Sequence, residues 1–262
     1  MGGEALLWGT AVCVLGAVFA VHQRLRVRWG RQSLVHPALT SSKPYVLGTA
    51  VAMAQFGSSL AAFLVLTVFL QDGLGLSALL TAAISLPGAA GTGISSALAW
   101  RLVRRIGPRT VTLGLALGIG AALAGATVAL CVPTAALPVA LAGRQLMSGV
   151  AGGLTVSPNQ TQVLQHAPAE AAGVGGAILQ MAQRIAAAVC LSAVPAVYLR
   201  AASGSPGGSN PRAGYALACC VCAGLLAVAL LLSLPRRAGG PSRLRSRATP
   251  ASLVPPHPKE NA

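Results

Sequence analysis

Two arginines and three glutamines lie inside long apolar runs, where few polar side chains are expected. Arg184 follows Gln180 by four residues, a spacing that places both on one helix face, and Gln183 directly precedes it. Arg144 has Gln145 as its neighbour in a separate apolar run. A charge at this depth costs about 3 kcal/mol or more when it faces lipid, so a buried or water-filled surrounding is favoured.

Two interpretations stay open for these side chains. They either line a cavity where they contact a substrate or a gate, or they form structural hydrogen bonds to backbone carbonyls of a neighbouring helix. No Asp or Glu lies inside any of the apolar runs, so the sequence supplies no evident carboxylate partner. An anionic group of a substrate, or a carboxylate from another part of the protein, would supply one. The candidate substrate pathway consists of Arg144, Gln145, Gln180, Gln183 and Arg184.

The other reactive residue types show no pattern typical of a catalytic or metal centre. The four histidines are scattered, and none is spaced to bind a metal or to activate a nucleophile. Cys219 and Cys222 have CxxC spacing, but they lie in an apolar run without a second pair. Packing as small apolar side chains is favoured over metal or redox chemistry. We therefore expect no catalytic residue, no metal and no cofactor, and we do not expect an enzyme.

The composition indicates a protein that lies in a membrane. Of the 262 residues, 54% are hydrophobic and only 9% are charged, whereas soluble domains carry about 25% charged residues. The formal charge of +15 could indicate a nucleic-acid partner. The basic residues, however, form short runs between apolar segments and are not interleaved with aromatic residues, so no nucleic acid is predicted.

Seven apolar runs of about 20 residues predict seven membrane-spanning helices in an all-α integral membrane protein. Residues 1–44 would hold the first helix and a basic cytoplasmic loop, residues 45–234 would hold six helices, and residues 235–262 would form a disordered basic tail. The predicted spans lie at about 5–22, 45–70, 76–99, 110–131, 136–157, 173–198 and 213–234.

The distribution of basic residues predicts the orientation of these spans. Arg200 and Arg212 lie in one set of loops, Arg144 and Arg184 lie within spans, and the other 15 Lys and Arg residues lie in the opposite loops and tail. Cytoplasmic loops carry the excess of Lys and Arg. The N-terminus is therefore predicted outside and the C-terminus inside. The 15 residues are Arg24, Arg26, Arg28, Arg31, Lys43, Arg101, Arg104, Arg105, Arg109, Arg236, Arg237, Arg243, Arg245, Arg247 and Lys259.

Five sequence blocks, in this order, resemble the C-terminal half of a major facilitator superfamily transporter. The most similar branch is the fourteen-helix drug:proton antiporters of the multidrug-resistance type. The resemblance covers about residues 5–234. The blocks are LVHPAL (34–39), LTVFLQDGLGLSALLTAAISLPGAAG (66–91), RLVRRIGPR (101–109), SPNQT (157–161) and EAAGVGGAILQMAQRIAAA (170–188).

The resemblance implies a six-helix half-bundle preceded by a linker helix. It implies proton-coupled efflux of small, drug-like organic molecules by alternating access, with a truncated or partial transporter expected because a complete one has a second half. The alternative is a non-transporting membrane remnant or an interaction partner of another transporter. The implied partners are the lipid bilayer of the plasma membrane, a small-molecule substrate, protons, and a missing N-terminal half or a second subunit.

The resemblance also implies where a cytoplasmic gate would lie. The basic segment from Arg101 to Arg109 is similar to the short loop between the second and third helices of a half, although it lacks the acidic residue often seen there. The second part of the gate is the SPNQT block, which is expected to end the fifth span. The gate candidates are Arg101, Arg104, Arg105, Arg109, Asn159 and Gln160.

Glycines near the start of the sixth predicted span favour close helix packing at that point. Gly173, Gly175 and Gly176 follow a short connection from the fifth span. Because a short connection makes two helices antiparallel neighbours, we expect the fifth and sixth spans to approach closely there.

Overall fold

The computed structural model describes residues 42–167, 172–203 and 210–234. These ranges fold into six long α-helices and contain no β-strand. A five-residue π-helical turn, Phe69–Gly73, continues the first helix. The helices are α1 (Lys43–Val68), α2 (Ala78–Ile106), α3 (Arg109–Cys131), α4 (Leu137–Gln165), α5 (Ala172–Ser203) and α6 (Pro211–Ser233).

Each of the six helices coincides with one of the predicted spans 45–70 to 213–234, and the predicted span 5–22 lies outside the described residues. Among the described helices, α1, α2, α3, α5 and α6 are long and apolar enough to cross a membrane. α4 is also long, at 29 residues, but it carries more polar residues and is less apolar than the other five helices. The prediction of seven spans is thus matched by five apolar helices and one more polar helix.

The SPNQT block does not end a helix, contrary to the prediction. Residues 157–161 lie within α4, which continues to Gln165 and holds Pro158 in its interior. Proline removes one backbone hydrogen bond, but helices in membranes tolerate this loss where neighbouring groups satisfy the freed carbonyl. Asn159 and Gln160 therefore belong to a helix and not to a loop.

The helices form one bundle with a repeated pattern of neighbours. α4 packs against α2 and α3, and α1 packs against α5 and α6. α3 also packs against α6. This pattern is retained when α1, α2 and α3 are exchanged for α4, α5 and α6, respectively. Two three-helix units of opposite direction, related by a pseudo-two-fold axis, are the arrangement of inverted-repeat transporters.

Two helix backbones approach closely where α2 crosses α4. A Cβ atom added at Gly149 of α4 would overlap the carbonyl oxygen of Gly88 in α2. The Thr92 hydroxyl lies at the same crossing, where it is 2.9 Å from the Gly88 carbonyl oxygen and 3.2 Å from that of Gly149. One turn further along, Gly153 leaves room for Ser95. Glycines at this crossing let the backbones meet, as small residues do in membrane helix pairs.

The predicted packing of the fifth span against the sixth is wrong. α4 and α5 barely touch, and a Cβ atom added at Gly173 would have no neighbour within 4 Å among the residues that the structure describes. At Gly176 it would meet only Leu164, at 3.8 Å. α4 places Gly149 and Gly153 against α2, and α3 places its own Gly114 against α4. These helices, and not its successor in the chain, pack closely on α4.

The turns between helices follow local sequence signals. α2 ends at Gly107, whose φ of 60° lies in the region that favours glycine, and Pro108 is the N-cap residue that precedes α3. On the opposite side of the bundle, Arg212 donates from Nη1 to the Val132 carbonyl at 2.9 Å and from Nη2 to the Thr134 hydroxyl at 2.7 Å. This side chain ties the start of α6 to the end of α3.

Candidate functional site

A partly open cavity of about 800 Å³ lies between α1, α2 and α4. Its walls are largely apolar, with Phe56 and Phe63 contributed by α1. Binding sites for small organic molecules have volumes of about 300–1,000 Å³ and walls of this kind with few polar groups. The volume and the lining therefore fit a drug-sized molecule.

The polar groups of the cavity include a row of hydroxyls on one face of α2. Thr81, Ser85, Thr92 and Ser96 line the cavity, and their spacing follows the helical repeat. The Ser85 hydroxyl donates to the Thr81 carbonyl at 3.0 Å. The Thr81 hydroxyl oxygen is buried without a hydrogen-bond partner among the described residues. A bound molecule or water would satisfy it.

Arg144 and Gln145 of α4, two of the predicted pathway residues, lie together in the cavity wall. Both are buried, and Arg144 Nη1 donates to Gln145 Oε1 at 2.6 Å. Arg144 Nε also donates to the Ala121 carbonyl of α3 at 3.3 Å. Asp72 is the one acidic residue in the described part of the chain, and it is exposed in the turn after α1. Arg144 thus combines both interpretations: it bonds a neighbouring helix and it lines the cavity.

The amide of Gln145 is oriented by this arginine. Because Gln145 Oε1 accepts from Arg144, the orientation of the carboxamide is fixed, and its NH₂ group is directed away from the Arg144 guanidinium. Gln145 therefore offers hydrogen-bond donors from the cavity wall, next to a buried positive charge. Such a wall favours molecules that carry an acceptor group.

The three polar residues predicted on the sixth span do not reach this cavity. Gln180 and Arg184 lie on the exposed face of α5. The Arg184 guanidinium is 5.7 Å from the centre of the Phe56 ring, a cation–π contact. Gln183 is buried, but it faces a separate, smaller pocket. The structure therefore divides the five predicted residues between the cavity, the small pocket and an exposed surface.

The small pocket lies between α1, α4 and α5 and has a volume of about 10 Å³. Carboxamides of Gln55, Asn159 and Gln183 line it, together with the hydroxyl of Thr155. Asn159 Nδ2 donates to the Gly48 carbonyl of α1 at 3.0 Å. Asn159, predicted as part of a cytoplasmic gate, is instead a buried residue that joins α4 to α1, whereas Gln160 is only half-buried.

The arginines predicted for the other part of the gate are on the surface. Arg101, Arg104 and Arg105 end α2, and Arg109 begins α3. All four are exposed. Arg104 stacks on the Trp100 ring with its guanidinium 4.1 Å from the ring centre. Together they form a basic surface at the α2–α3 turn.

The comparison with protein families gives the identity of this bundle. The family model of the Major Facilitator Superfamily matches residues 4–190, which is most of the chain. The chain belongs to the Major Facilitator Superfamily. It is accordingly a multi-pass membrane protein of a transporter family, and not an enzyme.

A relative of this superfamily protein carries a more specific name. The chain is 27% identical over 235 residues to the Major facilitator superfamily multidrug transporter mfsC of Aspergillus fumigatus. The aligned region covers 86% of this chain and 44% of the relative. The chain thus spans less than half the length of that relative.

Two parts of the superfamily protein's candidate site were not predicted from the sequence. The α2 hydroxyls recur at helical spacing, so a search for polar periodicity in the apolar run would have found them. Gln55 is an isolated carboxamide in the run 45–70 and was detectable in the same way as Gln145. Its convergence with Gln183 depends on helix packing, for which the sequence contains no direct signal.

Proposed function

We propose that this protein takes part in proton-coupled export of small, drug-like organic molecules across the plasma membrane by alternating access. The observation that carries the proposal is the cavity of about 800 Å³ among α1, α2 and α4, with apolar walls and a few hydroxyl, amide and guanidinium groups. The printed name of the fungal relative, a multidrug transporter, supports a substrate class of varied organic molecules. Membership of the drug:proton antiporter branch, and protons as the coupling ion, are parts of this proposal.

We also propose that the six described helices form one half of the transport pathway. Alternating access needs two bodies that rock around a shared site. The cavity is partly open, and the chain corresponds to 44% of its relative's length. A second helical body, either an N-terminal half or another subunit, would close the open side. The alternative of a non-transporting remnant or interaction partner makes no use of the cavity.

Blocking the cavity tests this function. Ser85 lines the cavity on α2, whereas Ile94 is an exposed residue of the same helix outside it. We expect the purified protein in lipid nanodiscs to bind the neutral fluorescent amphiphile phenylnaphthylamine, because the apolar cavity would shield this probe from water. Ser85→Trp should weaken binding at least tenfold by placing an indole ring where the probe would lie, and Ile94→Trp should change it less than twofold.

A transport measurement in vesicles that contain only this chain tests the half-transporter proposal separately from the proposed binding of a substrate. With a pH gradient imposed, we expect binding without movement of the probe, since one wall of the pathway would be missing. Movement that Ser85→Trp abolishes would make the half-transporter proposal wrong. Absence of binding to the unaltered protein would contradict the proposed function and favour the remnant.

We propose an orientation with the N-terminus outside and the C-terminus in the cytoplasm, which follows from the distribution of basic residues. In a variant without native cysteines, cysteine placed at Ser205 should react with an impermeant maleimide added outside intact cells. Cysteine placed at Ser246 should react only after the membrane is opened. Labelling of position 246 but not of position 205 from outside would reverse the orientation.

A further inference from the structure

The small pocket of Gln55, Thr155, Asn159 and Gln183 contains a hydrogen-bond acceptor that nothing in the described residues satisfies. Gln55 is 5% exposed, and its Oε1 atom is buried without a partner. Its Nε2 atom donates to the Ser59 hydroxyl at 3.2 Å, which fixes the orientation of the carboxamide. An acceptor buried within a membrane bundle without a donor is costly, so a group that donates a hydrogen bond would be stabilised there.

The other polar atoms of the small pocket also favour a donor. The Thr155 hydroxyl donates to the Ala151 carbonyl at 2.7 Å, so its oxygen is left to accept. Gln183 is 3% exposed and lines the same pocket, and its carboxamide carries both an acceptor oxygen and a donor NH₂ group. Among the described residues, no charged side chain lines the pocket. A neutral donor is therefore favoured over an ion, which would lose its hydration without a compensating charge.

The small pocket adjoins the main cavity. Phe56 and Val156 line both, so these two side chains form the partition between them. A volume of about 10 Å³ corresponds to about one water molecule, which is also the size of a hydroxyl group. A molecule in the main cavity could thus place one small polar group behind Phe56, and nothing larger.

We propose that the small pocket is a specificity subsite that accepts a hydroxyl group of a neutral, mainly apolar ligand, whose apolar body lies in the main cavity. The hydroxyl donates to Gln55 Oε1 and accepts from the carboxamide of Gln183. This inference rests on the proposed function, because it takes the main cavity to be a binding site. It assigns a substrate class: apolar alcohols and phenols rather than lipophilic ions.

Two ligands of the same size test the subsite. Naphthalenemethanol and ethylnaphthalene, substituted at the same ring position, differ by a hydroxyl in place of a methyl group. Binding to the protein in nanodiscs is measured by naphthalene fluorescence and corrected with empty nanodiscs. We expect the alcohol to bind at least about fivefold more tightly, as one net hydrogen bond predicts.

Variants show whether the discrimination arises in the small pocket. Gln55→Leu should reduce the ratio of the two affinities to about one while leaving ethylnaphthalene binding unchanged. Gln183→Leu should also lower the ratio, and it serves as the second variant if Gln55→Leu fails to fold. Gln180→Leu, on the exposed face of the same helix α5, should keep the full ratio.

The outcomes separate this inference from the proposed function. Equal binding of both ligands to the unaltered protein would overturn the subsite. A preference for the alcohol that Gln55→Leu and Gln183→Leu both retain would place the discrimination elsewhere and would also overturn it. Binding of neither ligand would instead contradict the main cavity as a binding site.

Discussion

Replacing Gly149 with alanine is expected to lower the free energy of unfolding by about 3 kcal/mol or more. The added Cβ atom would overlap the Gly88 carbonyl oxygen, and neither helix backbone can rotate this group away. α2 and α4 would have to separate, with loss of the hydroxyl contacts of Thr92 at the crossing. Unfolding by denaturing detergent in mixed micelles would measure the effect.

Gly143 provides the matched control for this substitution. It lies on α4 as well, it is exposed, and an added Cβ atom would have no neighbour within 4 Å in the described part of the chain. Alanine at this position should leave stability unchanged or raise it by up to about 1 kcal/mol, because alanine favours the helix over glycine. Equal effects at positions 143 and 149 would contradict the close contact of α2 with α4.

Replacing Arg144 with leucine is expected to reduce both stability and ligand binding. The change removes the donor to Gln145 Oε1 and the hydrogen bond to the Ala121 carbonyl. Hydrogen bonds of a charged group contribute about 1.5–3 kcal/mol, so unfolding should become easier by about that amount. The released Gln145 amide would no longer be held in the cavity wall, and phenylnaphthylamine binding should fall at least fivefold.

Arg184→Leu is the control, because Arg184 is exposed on α5 and does not line the cavity. It should change the ligand dissociation constant by less than twofold, and it should lower the free energy of unfolding by no more than about 1 kcal/mol, the contribution of an exposed cation–π contact. Arg144→Lys separates charge from geometry: an ammonium keeps the charge but lacks the planar fork that reaches two partners in different directions. A loss of binding in Arg184→Leu together with normal binding in Arg144→Leu would reverse this assignment.

Helix positions were predictable from the sequence because the apolar runs are long and their breaks are chemically distinct. Gly107 and Pro108 marked the turn between α2 and α3, and the structure has its turn there. The depth of Arg144 was predictable for the same reason. The end of α4 was not, because Pro158 is a weaker stop signal within a membrane bundle than in water.

The neighbours of each helix could not be derived in this way. With 31 glycines in the chain, many helix faces carry small residues, and no hydrophobic force between membrane helices selects among them. In the sequence, Gly173 and Gly176 therefore indicated close helix packing as strongly as Gly149 did, although of these three only Gly149 lies at a tight contact. Arg184 was expected to be buried because a charge is costly in lipid, but it is exposed within the described bundle.

The contact of α2 with α4 also bears on how a new substrate preference would arise by mutation. Gly149 cannot gain a side chain without moving both helices, and a Cβ atom at Gly88 would lie tightly against the Gln145 carbonyl oxygen at 3.0 Å, so this part of the cavity wall is constrained by backbone. Ser85, Ala89 and Ser148 line the same cavity with small side chains, and at Gly152 an added Cβ atom would meet nothing within 4 Å. Selection can enlarge or shrink the cavity at these four positions, one side chain at a time, while the helix crossing stays intact.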